Sequence, residues 1–176
     1  FYCNKILFKF ENAIEKLFFG RNNTINKSKK IIDFSVYFWG NEHCFMLENV
    51  LIPSLLQIDN VPKLKKEKYT INLNLFVQKD WDSSGIEKRL LSNKVKKFFN
   101  VNFFKLSSKN YNDKYFLMHC HYKAAKISFK NGSIFSLLAP DLFFGNRSIY
   151  NMIKLVDNEN SGIVANPVRV DKHKTI

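Results

Sequence analysis

Polar and aromatic side chains stand where several predicted strands end. Trp39 and Gly40 follow the first strand, Asp80 and Asp82 follow the second, and Asp141 lies within the fourth. In an open parallel sheet, ligands bind outside the carboxyl ends of the strands. The sequence therefore predicts a site for a polar ligand at these residues, provided that the strand ends converge.

Asp141 is the most informative of these residues. Its segment, 134–144, is otherwise apolar apart from Ser136, so a carboxylate there needs a partner or water. Pro140 has no N–H to give to a sheet and indicates an edge or a bend at this point. A carboxylate on a bent strand end is well placed to hold a divalent cation through oxygen. The alternative is that Asp141 only caps the loop before the next helix.

A helix predicted over residues 113–130 carries a second set of candidates. His119 and His121 flank Cys120, but side chains at i and i+2 do not face one direction, which makes a poor metal pair. Four residues at helical spacing do share a face: His119, Tyr122, Lys123 and Lys126. This basic stripe is suited to phosphates, and ordinary solvation of the lysines is the alternative.

The elements that must position these residues alternate between strand and helix. Strand composition marks residues 31–40, 69–78, 101–106, 134–144 and 163–170. Helical spacing or capping marks residues 4–19, 43–57, 83–91, 113–130 and 147–157, and residues 60–68 are predicted as a loop. Such alternation predicts an α/β fold, a three-layer sandwich with a mostly parallel sheet.

The composition and net charge favour certain classes of binding partner. The 176 residues carry a formal net charge of +13, which favours nucleic acid, an anionic membrane face or phosphorylated substrates. Three widely spaced cysteines favour a reducing, cytoplasmic compartment. No GxGxxG, GxxxxGK[ST] or GxSxG motif is present, which argues against a dinucleotide fingerprint, a P-loop and a hydrolase elbow.

Several stretches together resemble the GT-A fold of nucleotide-sugar glycosyltransferases over residues 31–171. IIDFSVYFWGN resembles the opening strand, whose end receives the nucleotide base, and ENVLIPSLLQIDNVP resembles the helix after it. INLNLFVQKDWD resembles the second strand, with its terminal acid. The stretch from HYKAAKISFK to IVANPVRV is similar to the helix, the metal-binding strand, the next helix and the next strand.

The resemblance implies roles for particular residues. Nucleotide-binding candidates are Trp39, Gly40, Asp80, Asp82, Lys123 and Lys126, and Arg147 is a candidate for phosphate contact. In the family the fourth strand ends in Asp-x-Asp, which holds a divalent cation, Mn²⁺ or Mg²⁺, on the diphosphate. Here Pro140-Asp141-Leu142-Phe143 keeps one acid. Asp141 then binds the metal alone, the site works without metal, or activity is lost.

The implied function is sugar transfer from a nucleotide-diphosphate donor to a glycan or lipid-linked acceptor, such as a cell-envelope glycan. Residues 1–30 form an amphipathic helix and a basic linker suited to peripheral contact with the inner face of a membrane. The GT-A-like domain then spans 31–171, and residues 172–176 are a tail. The competing interpretation is a basic nucleic-acid-binding module without catalysis, in which KKFFNVNFFK, residues 96–105, pairs phosphates with stacking aromatics.

Overall fold

One parallel sheet organises the part of the chain that the computed structural model describes, residues 30–79, 82, 84–107 and 113–159. Its strands are β1 (Ile31–Tyr37), β2 (Thr70–Gln78), β3 (Asn100–Leu106) and β4 (Ile134–Leu138). Their order across the sheet is β3-β2-β1-β4, and every neighbouring pair is parallel. The predicted parallel α/β architecture is therefore confirmed.

Helices occupy the connections between these strands. Between β1 and β2 lie α1 (Gly40–Met46), a π-helical turn (Leu47–Leu51), α2 (Ile52–Leu55) and α3 (Val61–Lys66). Between β2 and β3 lie α4 (Ser84–Leu90) and α5 (Asn93–Lys96). The long helix α6 (Asp113–Asn131) precedes β4, and α7 (Ser148–Glu159) follows it.

The two faces of the sheet are covered unequally. Ile32, Phe34 and Val36 point to one face, where they pack in the larger core with apolar residues of α1 to α5 and α7. We call this the helix-rich face. The opposite face holds a smaller core in which Phe76 packs with Phe116, Cys120 and Ala124 of α6, and we call it the α6 face. With helices on both faces, the described residues are consistent with a three-layer α/β fold.

Two predicted elements differ most from the observed ones in extent or type. Residues 60–68 were predicted as a loop, but Val61–Lys66 is a helix, because Pro62 is favoured in the first turn of a helix and Val61 and Leu64 are both buried. The strand predicted over residues 134–144 ends at Leu138. Beyond it the chain turns at Pro140, and the Leu142 N–H donates to the Ala139 carbonyl at 3.2 Å.

Some predicted segments fall outside the described residues. These are the helix over residues 4–19, the strand over residues 163–170 and Asp80. Among the described residues, no helix combines the length and the apolar character needed to cross a membrane.

A buried carboxylate joins three elements at the amino-terminal half of the α6 face. Asp33 has no exposed surface, and its Oδ1 accepts from Asn72 Nδ2 at 2.6 Å. Its Oδ2 accepts from Ser133 Oγ at 2.5 Å and from Asn131 Nδ2 at 3.2 Å. Since Asn131 ends α6 and Ser133 precedes β4, this carboxylate ties the end of α6 to the middle of the sheet.

We expect Asp33→Ala to destabilise the fold by about 1–3 kcal/mol, because the partly buried amide of Asn72 loses its acceptor, whereas Ser133 Oγ keeps the Ser128 carbonyl at 3.1 Å and Asn131 is exposed to water. Chemical denaturation of the purified chain measures the loss. The matched control is Asn100→Ala, at the exposed β3 end of the same hydrogen-bonded row, where Asn100 Nδ2 donates to Asn72 Oδ1 at 3.0 Å. Its expected cost is below about 1 kcal/mol, since water replaces the lost group. Equal losses in both variants would contradict a special role for Asp33.

Candidate functional site

The candidate site lies where the strand order reverses. Along the chain, β2 and then β3 follow on one side of β1, and β4 then lies on the other side of β1. Ligands of open α/β sheets bind outside the carboxyl ends of the strands at such a reversal, and we call this region, at the ends of β1 and β4, the crevice. Val36 pairs with Leu138, so β1 and β4 end side by side, and Trp39 and Asp141 each follow three residues further along the chain.

An aromatic stack forms one wall of this crevice. The rings of Tyr37 and Trp39 stack with centroids 5.5 Å apart and planes 20° apart. His43 of α1 meets the indole edge-to-face at 4.4 Å, and its Nδ1 hydrogen-bonds the Trp39 carbonyl at 2.9 Å. Gly40 makes the turn between strand and helix with φ of +68°, a conformation that other residues rarely adopt. The indole is therefore held by contacts with two neighbouring rings, and 38% of the Trp39 surface is exposed.

Tyr37 links the stack to Asp141 and to α6. Burial raises the pKa of the Tyr37 hydroxyl, and the negative charge of nearby Asp141 raises it further. His121 packs edge-to-face on Tyr37, with ring centroids 5.4 Å apart. Burial lowers the pKa of His121, and its Nε2 is buried without a hydrogen-bond partner among the described residues. The crevice thus combines two aromatic rings, a neutral imidazole and an exposed carboxylate.

The loop that carries Asp141 is anchored by Asn60. The side chain of Asn60 is fully buried, and its Nδ2 donates to the carbonyls of Ser54 and Gly145, both at 3.0 Å. Its Oδ1 accepts from the N–H of Ile149, in the first turn of α7, at 3.1 Å. One amide group therefore joins the end of α2 to the loop after β4 and to the helix that follows.

Arg147 lies at the far end of the same loop. It adopts φ of +68°, which is uncommon for a residue other than glycine. Its Nε lies 3.9 Å from Oδ2 of Asp59, and the same oxygen accepts from Asn146 Nδ2 at 2.9 Å. The guanidinium is 60% exposed, so this loose pair leaves it accessible to an anion.

The remaining predicted residues within the described part of the chain are Asp82, Lys123 and Lys126. Asp82 is exposed and caps α4, since its Oδ1 accepts from the Ser84 N–H at 3.0 Å. This hydrogen bond is the main reason why the pKa of Asp82 is lowered. Lys123 and Lys126 are exposed on α6. With a rise of about 1.5 Å per residue, Lys126 is about 7.5 Å along the helix from His121, toward the amino ends of the strands. Asp80 lies outside the described residues.

Asp141 offers one carboxylate for a divalent cation. Among the described residues, no three His, Cys, Asp or Glu side chains group closely enough to hold a metal ion. Mg²⁺ is commonly held by one or two carboxylates together with substrate phosphates and water. The exposed Asp141 suits a cation that a bound diphosphate also coordinates. A cation held by protein side chains alone would need further ligands.

Tyr37 and His121 were not predicted as site residues. Every second side chain of β1 and its extension lies on one face, namely Asp33, Ser35, Tyr37 and Trp39. This period of two was a sequence signal that could have indicated Tyr37. Nothing in the spacing of His121 indicated its contact with Tyr37, because that contact depends on how α6 lies across the sheet.

The electrostatic influence of Asp141 on Tyr37 is testable by titration. We expect Asp141→Asn to lower the pKa of Tyr37, because removing the nearby negative charge makes the phenolate easier to form. NMR titration of the Tyr37 ring carbon measures the shift. Asp59→Asn removes a carboxylate from the loop after α2 and serves as the control that leaves Tyr37 unchanged. An unaltered Tyr37 pKa in Asp141→Asn would show that the two groups are not close.

The anchoring role of Asn60 predicts a large loss on truncation. Asn60→Ala leaves the Ile149 N–H without its acceptor and removes one of two donors from the Ser54 and Gly145 carbonyls, so we expect the free energy of unfolding to fall by about 1–3 kcal/mol. The control is Asn49→Ala, which removes one exposed bond from Asn49 Nδ2 to the Phe45 carbonyl at 2.8 Å. Urea denaturation measures both variants, and a loss in Asn60→Ala no larger than in the control would refute the anchor.

Comparison with known proteins leaves this site without a relative. No protein-family model, curated protein sequence or solved structure matched the chain. The chemistry of the crevice is therefore inferred from the contacts of its own residues.

Proposed function

We propose that the described domain binds a nucleoside diphosphate, as part of a nucleotide sugar, in the crevice between β1 and β4, and transfers the sugar. One observation carries this proposal. β4 ends beside β1 where the strand order reverses, and an exposed indole and an exposed carboxylate follow these two strand ends. Nucleotides bind at such reversal points in open α/β sheets.

The aromatic wall suits the base of the nucleotide. Stacking of a base on an aromatic side chain contributes about 1–3 kcal/mol. Trp39 offers a partly exposed ring whose orientation is held by Tyr37 and His43. A ring that is already ordered loses little conformational entropy on binding, so more of the stacking energy contributes to affinity.

The carboxylate side of the crevice suits the diphosphate. Asp141 would hold Mn²⁺ or Mg²⁺ together with phosphate oxygens, and the cation would neutralise charge on the leaving diphosphate. Arg147 is the cationic side chain of the same loop and is accessible. The net charge of +13 favours approach of an anionic donor.

The acceptor in this proposal is a glycan or a lipid-linked glycan, which agrees with a basic protein working at the cytoplasmic face of a membrane. Tyr37 is a titratable group near Asp141, and His121 packs on Tyr37.

The nucleic-acid alternative has less support in the structure. The aromatic residues of segment 96–105 pack into the two cores instead of facing solvent. Phe99 is buried, Phe103 packs against the larger core, and Phe104 stacks on Phe76 with centroids 4.9 Å apart. These rings are therefore not available to stack on successive bases.

Thermal melting in the presence of nucleotides tests the proposal. We expect a nucleoside diphosphate to raise the melting temperature, and manganese to enlarge the rise, because a ligand that binds only the folded state stabilises it. Trp39→Ala should weaken the binding by about tenfold or more. Phe45→Ala removes another exposed aromatic residue, 60% exposed on α1, and should bind as the parent does.

Three results would decide against the nucleotide site. The first is no shift with any nucleoside diphosphate, with or without manganese. The second is equal weakening in Trp39→Ala and Phe45→Ala, which would place the ligand elsewhere. The third is tight, salt-sensitive binding of single-stranded nucleic acid that survives Trp39→Ala, which would favour the alternative function.

A further inference from the structure

The two flanks of α6 differ in polarity. Toward β3, the α6 face of the sheet presents Asn100 and Asn102, both exposed and each donating to an asparagine of β2 at 3.0 Å. Toward β4, the same face presents Phe135 and Leu137, which lie beside Asp33 and Ser35 in register. Phe135 is 37% exposed and Leu137 is 40% exposed. The flank of α6 toward β3 is therefore polar and suited to contact with water, whereas the flank toward β4 is apolar.

The apolar flank has the character of an incomplete layer. We call Phe135 and Leu137 the β4 patch. β4 is at the edge of the sheet in the described part of the chain, where β1 is its strand neighbour. Parallel sheets are normally covered on both faces, and α6 is the helix that covers this face among the described residues. A second apolar element beside α6 would complete the layer over the β4 patch.

We propose that residues 4–19 of this chain cover the β4 patch as an amphipathic helix beside α6. The sequence there places six apolar residues on one side at helical spacing: Ile6, Leu7, Phe10, Ala13, Ile14 and Leu17. Such a stripe needs an apolar surface to bury against. The β4 patch is an exposed apolar surface on a sheet face that α6 covers only in part.

The connection between the two is short enough. The described chain begins at Lys30, directly before β1, and β1 is the neighbour of β4. Ile32 pairs with Ile134, so Lys30 enters the sheet next to the start of β4. Adjacent strands are about 4.8 Å apart. Residues 20–30 span up to about 35 Å when extended, which is ample for a helix to reach across β4.

The predicted strand over residues 163–170 is a less suitable occupant. Its preceding helix, α7, packs on the helix-rich face, as do the helices that connect β1 to β2. The β1-to-β2 connection moves toward β3, so a connection through the same face that moved outward past β4 would have the opposite hand. Crossover connections between parallel strands are right-handed in about 98% of cases. A strand would also pair with the edge of β4 and leave the face above Phe135 and Leu137 open.

Cross-linking in the full chain tests the contact. Cys44 and Cys120 are buried, so a Cys3→Ser background leaves introduced cysteines as the accessible thiols. With a short bifunctional maleimide, we expect Phe10→Cys with Leu137→Cys to cross-link within one chain. The yield should be about tenfold above that of Asn12→Cys with Leu137→Cys, because Asn12 lies on the opposite side of the helix. Equal yields, no cross-link, or cross-links between two chains would each overturn the proposal.

A second measurement needs no substitution in the sheet. Phe10→Asp places a charge on the apolar stripe, and Asn12→Asp places the same charge on the polar side. We expect Phe10→Asp to lower the melting temperature of the full chain by about 5 °C or more, with little change in Asn12→Asp. If neither variant lowered the melting temperature, or if both lowered it equally, the apolar stripe would not be buried against the domain. This proposal does not depend on the nucleotide site.

Discussion

The buried amide of Asn60 is the interaction on which the geometry of the site depends. It satisfies two carbonyls and one N–H that belong to three separate segments, and it does so without exposure to water. A buried amide with all partners in place costs little, whereas the same groups left unpaired would each cost about 1–3 kcal/mol. The loop after β4 therefore has one low-energy arrangement relative to α2 and α7, and Asp141 is displayed from that loop.

The α6 face changes character along the strands. At the amino-terminal half, Asp33 and its partners form a polar network that fastens the end of α6 to the sheet. At the carboxyl end, the same strand presents Tyr37 and Trp39, and α6 brings His121 against Tyr37. The polar network that holds α6 at one end of the sheet thus supports the aromatic residues at the other end. A binding site needs such support because its side chains must keep a defined geometry.

Sequence reasoning predicted most of the scaffold and part of the site. Long apolar strands ended by Gly40 and Pro140 and separated by helical segments were sufficient to predict a parallel α/β sheet. Trp39 and Asp141 were predicted as site residues from their positions at strand ends, and the pairing of β1 with β4 places these two strand ends side by side. The helix at Val61–Lys66 was predicted as a loop because its lysines make the segment polar, although Val61 and Leu64 are both buried.

The sequence by itself determined the strand and helix types, the apolar faces and the residue types at the strand ends, because these follow from local periodicity and from the conformational limits of glycine and proline. Only the tertiary structure decided that β4 lies beside β1, that Asn60 anchors the loop of Asp141 and that His121 meets Tyr37. Each of these is a contact between segments distant in the chain. Such contacts depend on the strand order and on how helices lie across the sheet, which local patterns do not encode.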